Sequence, residues 1–350
     1  MLIAYIVSFS SIYILFKWGW NRSVQKKIDT SKYQAENISV IIPFRNEIKN
    51  LNSLKESILQ LYSLPLEFIW INDHSEDNSL SVLTNLPSNH TVISLNRNEK
   101  GKKTAIRKGI EISSGTFILT WDADISVPLN YFSTLTNQSI ADLAILPVRM
   151  IGSTFIEILY ELDYYFLNSI NMSVSGFYDP IVASGANLLF NKSTFLEIDS
   201  FDTHKYIASG DDQFLLADFK KHNKEIQIIT DLNLVVETHT PQSLQSFFQQ
   251  RLRWITKSTH IKDTLANLTN TIGIFYVLGF VCLLMYYDWR IIVGFKIILD
   301  MLIFKPYLKC IDRKPIIWFT PCFSLLYPLY FFAISLGMLF YRNQKWKGRK

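Results

Sequence analysis

An α/β domain built from strand–helix–strand units, with membrane helices at both ends, is the architecture that this 350-residue sequence predicts. Three observations carry the expectation. From about residue 30 to 265, β-branched runs alternate with stretches of helical periodicity, the pattern of a sheet with crossover helices. Acidic and amide residues collect where the strand runs end, which is where ligands bind in such sheets. Outside this block the chain is strongly apolar, and it is 49% hydrophobic and 14% aromatic overall. That is too apolar for an ordinary soluble protein of this length.

The first sixteen residues, MLIAYIVSFSSIYILF, carry no charged side chain, and Lys17, Trp18, Trp20, Arg22, Lys26 and Lys27 follow them. A signal peptide has a cationic start and a small-residue cleavage site. This segment has neither, so residues 1–20 read as an uncleaved anchor with its basic flank on the cytoplasmic side and tryptophans in the interface. NISVIIPF (37–44) reads as the first strand, ended by Pro43, and KNLNSLKESILQLYSL (49–64) as a helix. LEFIWIND (66–73) and TVISL (91–95) read as the next two strands. KKTAIRKGIEISSG (102–115) follows as a helix stopped by Gly115, and TFILTWDAD (116–124) as a strand ending in acids. STFIEILYELDYYFLNSI (153–170) has aromatic and apolar residues at helical spacing, which suits either a membrane-surface helix or a core helix.

The C-terminal region (266–341) holds two charge-free runs, LTNTIGIFYVLGFVCLLMYY (268–287) and IIWFTPCFSLLYPLYFFAISLGMLFY (316–341), both long enough to span a bilayer. Between them IIVGFKIILDMLIF (291–304) carries Lys296 and Asp300, about one helical turn apart. It reads as a paired-charge span, a re-entrant segment or an interfacial helix. If it does not span, the basic tail 342–350 is cytoplasmic, as the positive-inside rule favours. The three cysteines, Cys282, Cys310 and Cys322, lie in this region without paired spacing and indicate neither a disulfide framework nor zinc. A net charge of +5, gathered near membrane ends, points to headgroups or phosphates and not to nucleic acid.

Asp122 and Asp124 carry the first chemical signal. Two carboxylates one residue apart in a strand-to-loop transition can share a hard cation that keeps waters and phosphate oxygens as its other ligands; an Asx-turn is the plain structural alternative. Asp73 ends a neighbouring strand and brings a third acid to the same edge. The adjacent acids Asp211 and Asp212, in SGDDQFLL, suit the first turn of a helix on local grounds. His239, in VVETHTPQ, reads as a loop residue or as a group reaching the cation or diphosphate.

Seven segments, VIIPFRNE (40–47), WINDHSEDNS (70–79), KGKKTAIRKG (100–109), WDAD (121–124), SGANLLF (184–190), GDD (210–212) and QRLRW (250–254), stand in order across about residues 38 to 256. In order and approximate spacing they resemble membrane-associated family 2 glycosyltransferases, a group with a GT-A nucleotide-sugar fold. The resemblance implies a mixed, mostly parallel sheet and a nucleotide-sugar donor, with Pro43 and Glu47 near the base and ribose, Asp73 on a uracil-type base, and Lys102 facing the pyrophosphate. Asn72 stands where the family often has a second acid, and Arg107 where an asparagine is common.

The resemblance further implies that Asp122 and Asp124 hold Mg²⁺ or Mn²⁺ on the two phosphates and that Gly185, Ala186 and Asn187 line the acceptor side. Asp212 would be the general base on the acceptor hydroxyl, with Asp211 orienting it. Gln250 and Trp254 would meet the acceptor, and Arg253 would fork onto pyrophosphate oxygens. The same helix also reads as an interfacial Arg–Trp anchor. With one base and no second nucleophile, a single displacement inverting the anomeric carbon is implied. The expected protein is an integral membrane enzyme with a cytoplasmic catalytic domain (30–265), moving a sugar to a lipid or lipid-linked acceptor. A processive polysaccharide synthase is the alternative. A catalytically silent membrane scaffold is the rival of another class, set against by the retention of Asp73, Asp122, Asp124 and Asp212.

Overall fold

A computed structural model describes residues 2–25, 37–198, 210–258, 261 and 263–340. Ser209 and the basic tail lie outside the described residues. The chain divides into two compact units, one of residues 27–149 and 183–239 with the last eight residues, and one of residues 1–26, 150–182 and 240–342. Residues 150–182 and 240–258 fall in the unit of the apolar helices.

The first unit is an α/β domain around a seven-stranded sheet in the order β3-β2-β1-β4-β8-β6-β9. Its strands are β1 (Ile38–Phe44), β2 (Glu67–Asn72), β3 (His90–Ser94), β4 (Phe117–Trp121), β6 (Leu143–Ile145), β8 (Asn187–Asn191) and β9 (Ile226–Ile228). β1, β2, β3 and β4 run parallel, as do β6 and β9, while β8 is antiparallel to both β4 and β6. Every residue of β1 and β4 is buried, which is why they read as continuous apolar runs and not as alternation. Two short strands, β5 (Ile125–Ser126) and β10 (Val236–His239), pair antiparallel. β7 (Val148–Ile151) lies where the chain leaves this unit.

The expected strands and helices fall within a few residues of their observed bounds. The helix expected over 49–64 spans Ile48–Leu59, and residues 60–64 form a turn and bends ahead of Pro65. The helix Lys102–Ile112 stops at Ser113, which is extended, and the Gly115 N–H then meets the Ser39 hydroxyl at 2.9 Å.

The second unit gathers long helices. Three are long and apolar enough to cross a membrane: Leu2–Gln25, Thr264–Tyr286 and, counting its opening 3₁₀ turn, Lys314–Met338. The debated segment 291–304 belongs to a fourth long helix, Trp289–Cys310, in which Lys296 and Asp300 pair at 2.6 Å and are 1% and 0% exposed. Tyr5 packs on Phe295 and Trp20 on Tyr307, so this helix runs parallel to the N-terminal one. The helix Phe155–Val174 starts with a Thr154–Glu157 capping box and buries Tyr160, Glu161, Leu162, Tyr164 and Tyr165, which settles it as a core helix of this unit. Arg313 forks onto its Glu161. The helix Leu244–Ser258 carries QRLRW.

Candidate active site

The C-terminal ends of β1, β2 and β4 and the starts of two helices bring the polar residues of the α/β unit together. After β1, Asn46 turns the chain with positive φ, and its side chain and backbone clasp the loop after β2 through Glu76 and Ser75. Glu47 precedes the helix Ile48–Leu59, accepts from Asn50 at 2.6 Å and donates its N–H to the Ser79 hydroxyl. Pro43 lies inside β1 opposite Ile71, buried. Asp73 follows β2, is 0% exposed, and accepts from the Gly101 N–H at 3.1 Å. Through this contact Asp73 anchors the turn that launches the helix bearing Lys102.

Lys102 occupies the first turn of that helix, and its ammonium lies 2.5 Å from Asp122 and 3.6 Å from Asp211. Burial works against its charge, but Asp122, Asp211 and Asp212 outweigh it and hold its pKa above the ordinary lysine range. Lys102 thus faces carboxylates here, where the resemblance implied phosphate. Arg107, the other expected cation, pairs at the surface with Glu111.

The helix Asp211–Lys221 begins just after Gly210, whose φ of +93° suits glycine, and both acids occupy its first turn as the local pattern predicts. Asp212 accepts from the Gln213 N–H at 2.8 Å and from the Gly185 N–H at 3.3 Å. Gly185 is where the loop and both acids converge: a Cβ there would stand 3.1 Å from an Asp211 carboxylate oxygen and 3.4 Å from the Lys102 ammonium. Thr120 in β4 donates to the Gly185 carbonyl and fixes the loop. Asp211, Asp212, Gly185 and Thr120 line a pocket together with apolar residues that include Leu188, Phe190 and Leu215.

Asn187 is 0% exposed, donates to the carbonyls of Pro147 and Leu234, and accepts from the Tyr131 hydroxyl at 2.5 Å. Its amide holds the start of β8. Ala186 is likewise buried.

Asp124 sits at the surface, yet its withdrawal from water first and the neighbouring Asp122 second push its carboxyl pKa up to about 6. A carboxyl group destabilised in this way favours a cation beside it. Among the described residues no three His, Cys, Asp or Glu side chains already stand at metal-binding spacing, so the pair fits a cation that takes its remaining ligands from water and substrate oxygens. Asp124 directly precedes β5 and His239 ends its partner β10, close enough for the imidazole to act on the Asp124 charge.

In the helical unit, Gln250, Arg253 and Trp254 share one helix as expected. Gln250 accepts from Arg251 at 2.5 Å, and the Arg251 guanidinium lies 4.2 Å from the Trp254 ring centroid. Arg251 pairs in turn with Asp163. Neither Arg251 nor Asp163 stood out in the sequence, since the two are 88 residues apart.

Residues 39–195 match the family model Glycosyl transferase family 2. The poly-beta-1,6-N-acetyl-D-glucosamine synthase of Staphylococcus aureus (strain COL) is 24% identical over 253 residues, covering 70% of this chain and 60% of its own. The protein of the same name from Staphylococcus epidermidis is 24% identical over 256 residues, with the same coverage. The match thus spans 60% of the length of these relatives. A mannosyltransferase from Pyrobaculum calidifontis, solved in complex with GDP-Man and Mn²⁺, superposes with a TM-score of 0.54 at 13% identity, over 93% of this chain and 99% of its own. That likeness is one of fold. Residues 39–195 are therefore those of a glycosyl transferase family 2 domain, set in a GT-A-like α/β fold with a mixed, mostly parallel sheet, and the described residues include three apolar helices, one N-terminal and two near the C-terminal end.

Proposed function

We propose that the protein is a metal-dependent, inverting glycosyltransferase that moves a sugar from a nucleotide-sugar donor to a lipid or lipid-linked hydroxyl acceptor at the cytoplasmic membrane face. The observation that carries the reading is the convergence of Asp122, Lys102, Asp211 and Asp212 around Gly185. Separated by up to 110 residues of sequence, these groups share one ammonium and one backbone turn, as a donor and acceptor meeting at one carbon requires.

Asp122 and Asp124 would hold Mg²⁺ or Mn²⁺, with His239 across the strand pair as a further ligand. Such a cation neutralises charge developing on the departing nucleoside diphosphate. Lys102 adds a fixed positive charge beside the same oxygens. Asp212 takes the proton from the acceptor hydroxyl as that oxygen attacks the anomeric carbon, and a positioned carboxylate contributes about 10²–10⁴-fold in such a step. Asp211, through Lys102, keeps the helix start in register. Pro43 and Glu47 border the donor side, and Asp73 supports it from beneath through Gly101. Gln250, Arg253 and Trp254 enter by the resemblance, as acceptor and pyrophosphate contacts.

Membranes from expressing cells, supplied with UDP- and GDP-linked sugars and Mn²⁺, test the reading. Transfer is expected in the parent protein and absent in Asp124→Ala and Asp212→Ala, both still folded and membrane-bound. Retained transfer in either variant removes the assignment. The names of the staphylococcal relatives favour a second reading, a processive synthase using an N-acetylglucosamine donor. Product length separates the two: single additions support the first, a ladder of products the second.

A further inference from the structure

The helical unit contains a buried ion pair that the reaction scheme above does not use. Arg251 is 3% exposed, and its Nε pairs with the Asp163 carboxylate from the helix Phe155–Val174. One terminal nitrogen donates to the Gln250 side-chain oxygen at 2.5 Å and the other to the Tyr160 carbonyl at 3.2 Å. Its carbon centre lies 4.6 Å from the Phe247 ring centroid and 4.2 Å from that of Trp254. Phe247 in turn stacks on Tyr160 with centroids 4.0 Å apart. A planar guanidinium with directed N–H groups and two stacking faces fixes the orientation of several neighbours at once, whereas an ammonium has no plane to impose and no face to stack. Two of those neighbours are Gln250 and Trp254, the residues read above as acceptor contacts.

We propose that Arg251, locked by Asp163, is a positioning residue that sets the side chains of Gln250 and Trp254 and thereby orients the sugar acceptor. This rests on the reading of the chain as a glycosyltransferase. Asp163 fixes the guanidinium plane, and that plane fixes the Trp254 ring face and draws the Gln250 oxygen inward, leaving its NH₂ group to donate. An acceptor ring then meets a preset stacking surface and a preset donor. Loss of the pair loosens acceptor orientation and leaves the donor site of the α/β unit as it was.

The two activities of one preparation separate these effects. Full-length Asp163→Asn and Arg251→Lys in native membranes are assayed with UDP-N-acetylglucosamine and GDP-mannose, for acceptor-free donor hydrolysis and for transfer to N-acetylglucosamine or a polyprenyl monophosphate. The expected result is a rise of roughly tenfold or more in the acceptor KM, since small misplacements cost that much, with hydrolysis within about twofold of the parent. Arg251→Lys keeps the charge and serves where Asp163→Asn fails to accumulate. An unchanged acceptor KM, or equal falls in hydrolysis and transfer, overturns the positioning role while the enzyme assignment stands. A parent protein that turns over neither donor overturns both.

Discussion

The Lys102 ammonium lies 2.5 Å from Asp122 and 3.6 Å from Asp211, so one partly buried cation joins the end of β4 to the first turn of the helix Asp211–Lys221. Removing one partner of a pair withdrawn from water leaves the other charge uncompensated. Lys102→Ala removes this shared cation and leaves Asp122, Asp211 and Asp212 repelling one another. The expected outcome is a lower melting temperature without divalent ions, a larger stabilisation by Mn²⁺ than the parent shows, and transfer reduced roughly 10²-fold. Thermal shift with and without Mn²⁺ measures the first two. Equal Mn²⁺ stabilisation in both proteins would mean that the acids and the ammonium do not share one site.

Asp124 directly precedes β5, His239 ends its partner β10, and the imidazole acts on the Asp124 charge. An imidazole so near a paired carboxylate is a candidate further ligand for a cation held there. Asp124→Asn is expected to abolish Mn²⁺ binding, followed by electron paramagnetic resonance, and His239→Ala to weaken it by a smaller factor. Mn²⁺ affinity unaltered by His239→Ala would return that residue to an ordinary strand end.

Stability of the α/β unit should fall on mild acidification through His90. The imidazole accepts from the Trp70 indole N–H at 3.1 Å and stacks on Phe68. Burial first and the nearby Lys55 second lower its pKa from 6.5 to about 4. Between those values the unfolded chain binds the proton and the folded one does not. The stabilisation is therefore complete above pH 6.5, is lost as the pH falls towards 4, and changes no further below that. Melting temperatures at pH 7.5 and 5 should differ less in His90→Gln, which keeps an acceptor for Trp70 without titrating. Identical pH dependence in both proteins would assign the acid sensitivity elsewhere.

The α/β frame was legible because hydrophobic runs and strand-end acids are local signals. Asp122 and Asp124 announced themselves by spacing, and Asp211 and Asp212 by the helix start that they form. What escaped the sequence depends on distant partners. Asp73 reads as a ligand group because it ends a strand, yet the Gly101 N–H that encloses it is 28 residues away. Asn187 reads as an exposed amide in a glycine turn, but Tyr131, Pro147 and Leu234 consume its hydrogen bonds from 40 to 56 residues away. Arg251 lay within a motif already noticed, and its importance comes from Asp163 on another helix.

The same limit governs the segment 291–304, where one lysine and one aspartate left three placements open. Asp300 accepts from Lys296, from the Tyr276 hydroxyl at 2.8 Å and from the Ser324 hydroxyl at 2.6 Å, so residues from three helices satisfy one carboxylate. The Lys296 ammonium also lies 4.9 Å from the Tyr276 ring centroid. A pair neutralised in this way adds little net charge to an apolar bundle, whereas either half alone is costly. Asp300→Ala is therefore expected to destabilise the protein by about 3–5 kcal/mol, the usual cost of stranding a buried charge. The volume-matched double variant Lys296→Met with Asp300→Leu should recover most of that loss, since two apolar side chains leave no charge to solvate. Unfolding midpoints in detergent and yield in the membrane fraction measure both. A double variant as unstable as the single one would show that Tyr276 and Ser324, deprived of their acceptor, matter more than the ammonium, and that the pair holds the bundle through its hydrogen bonds and not through charge balance.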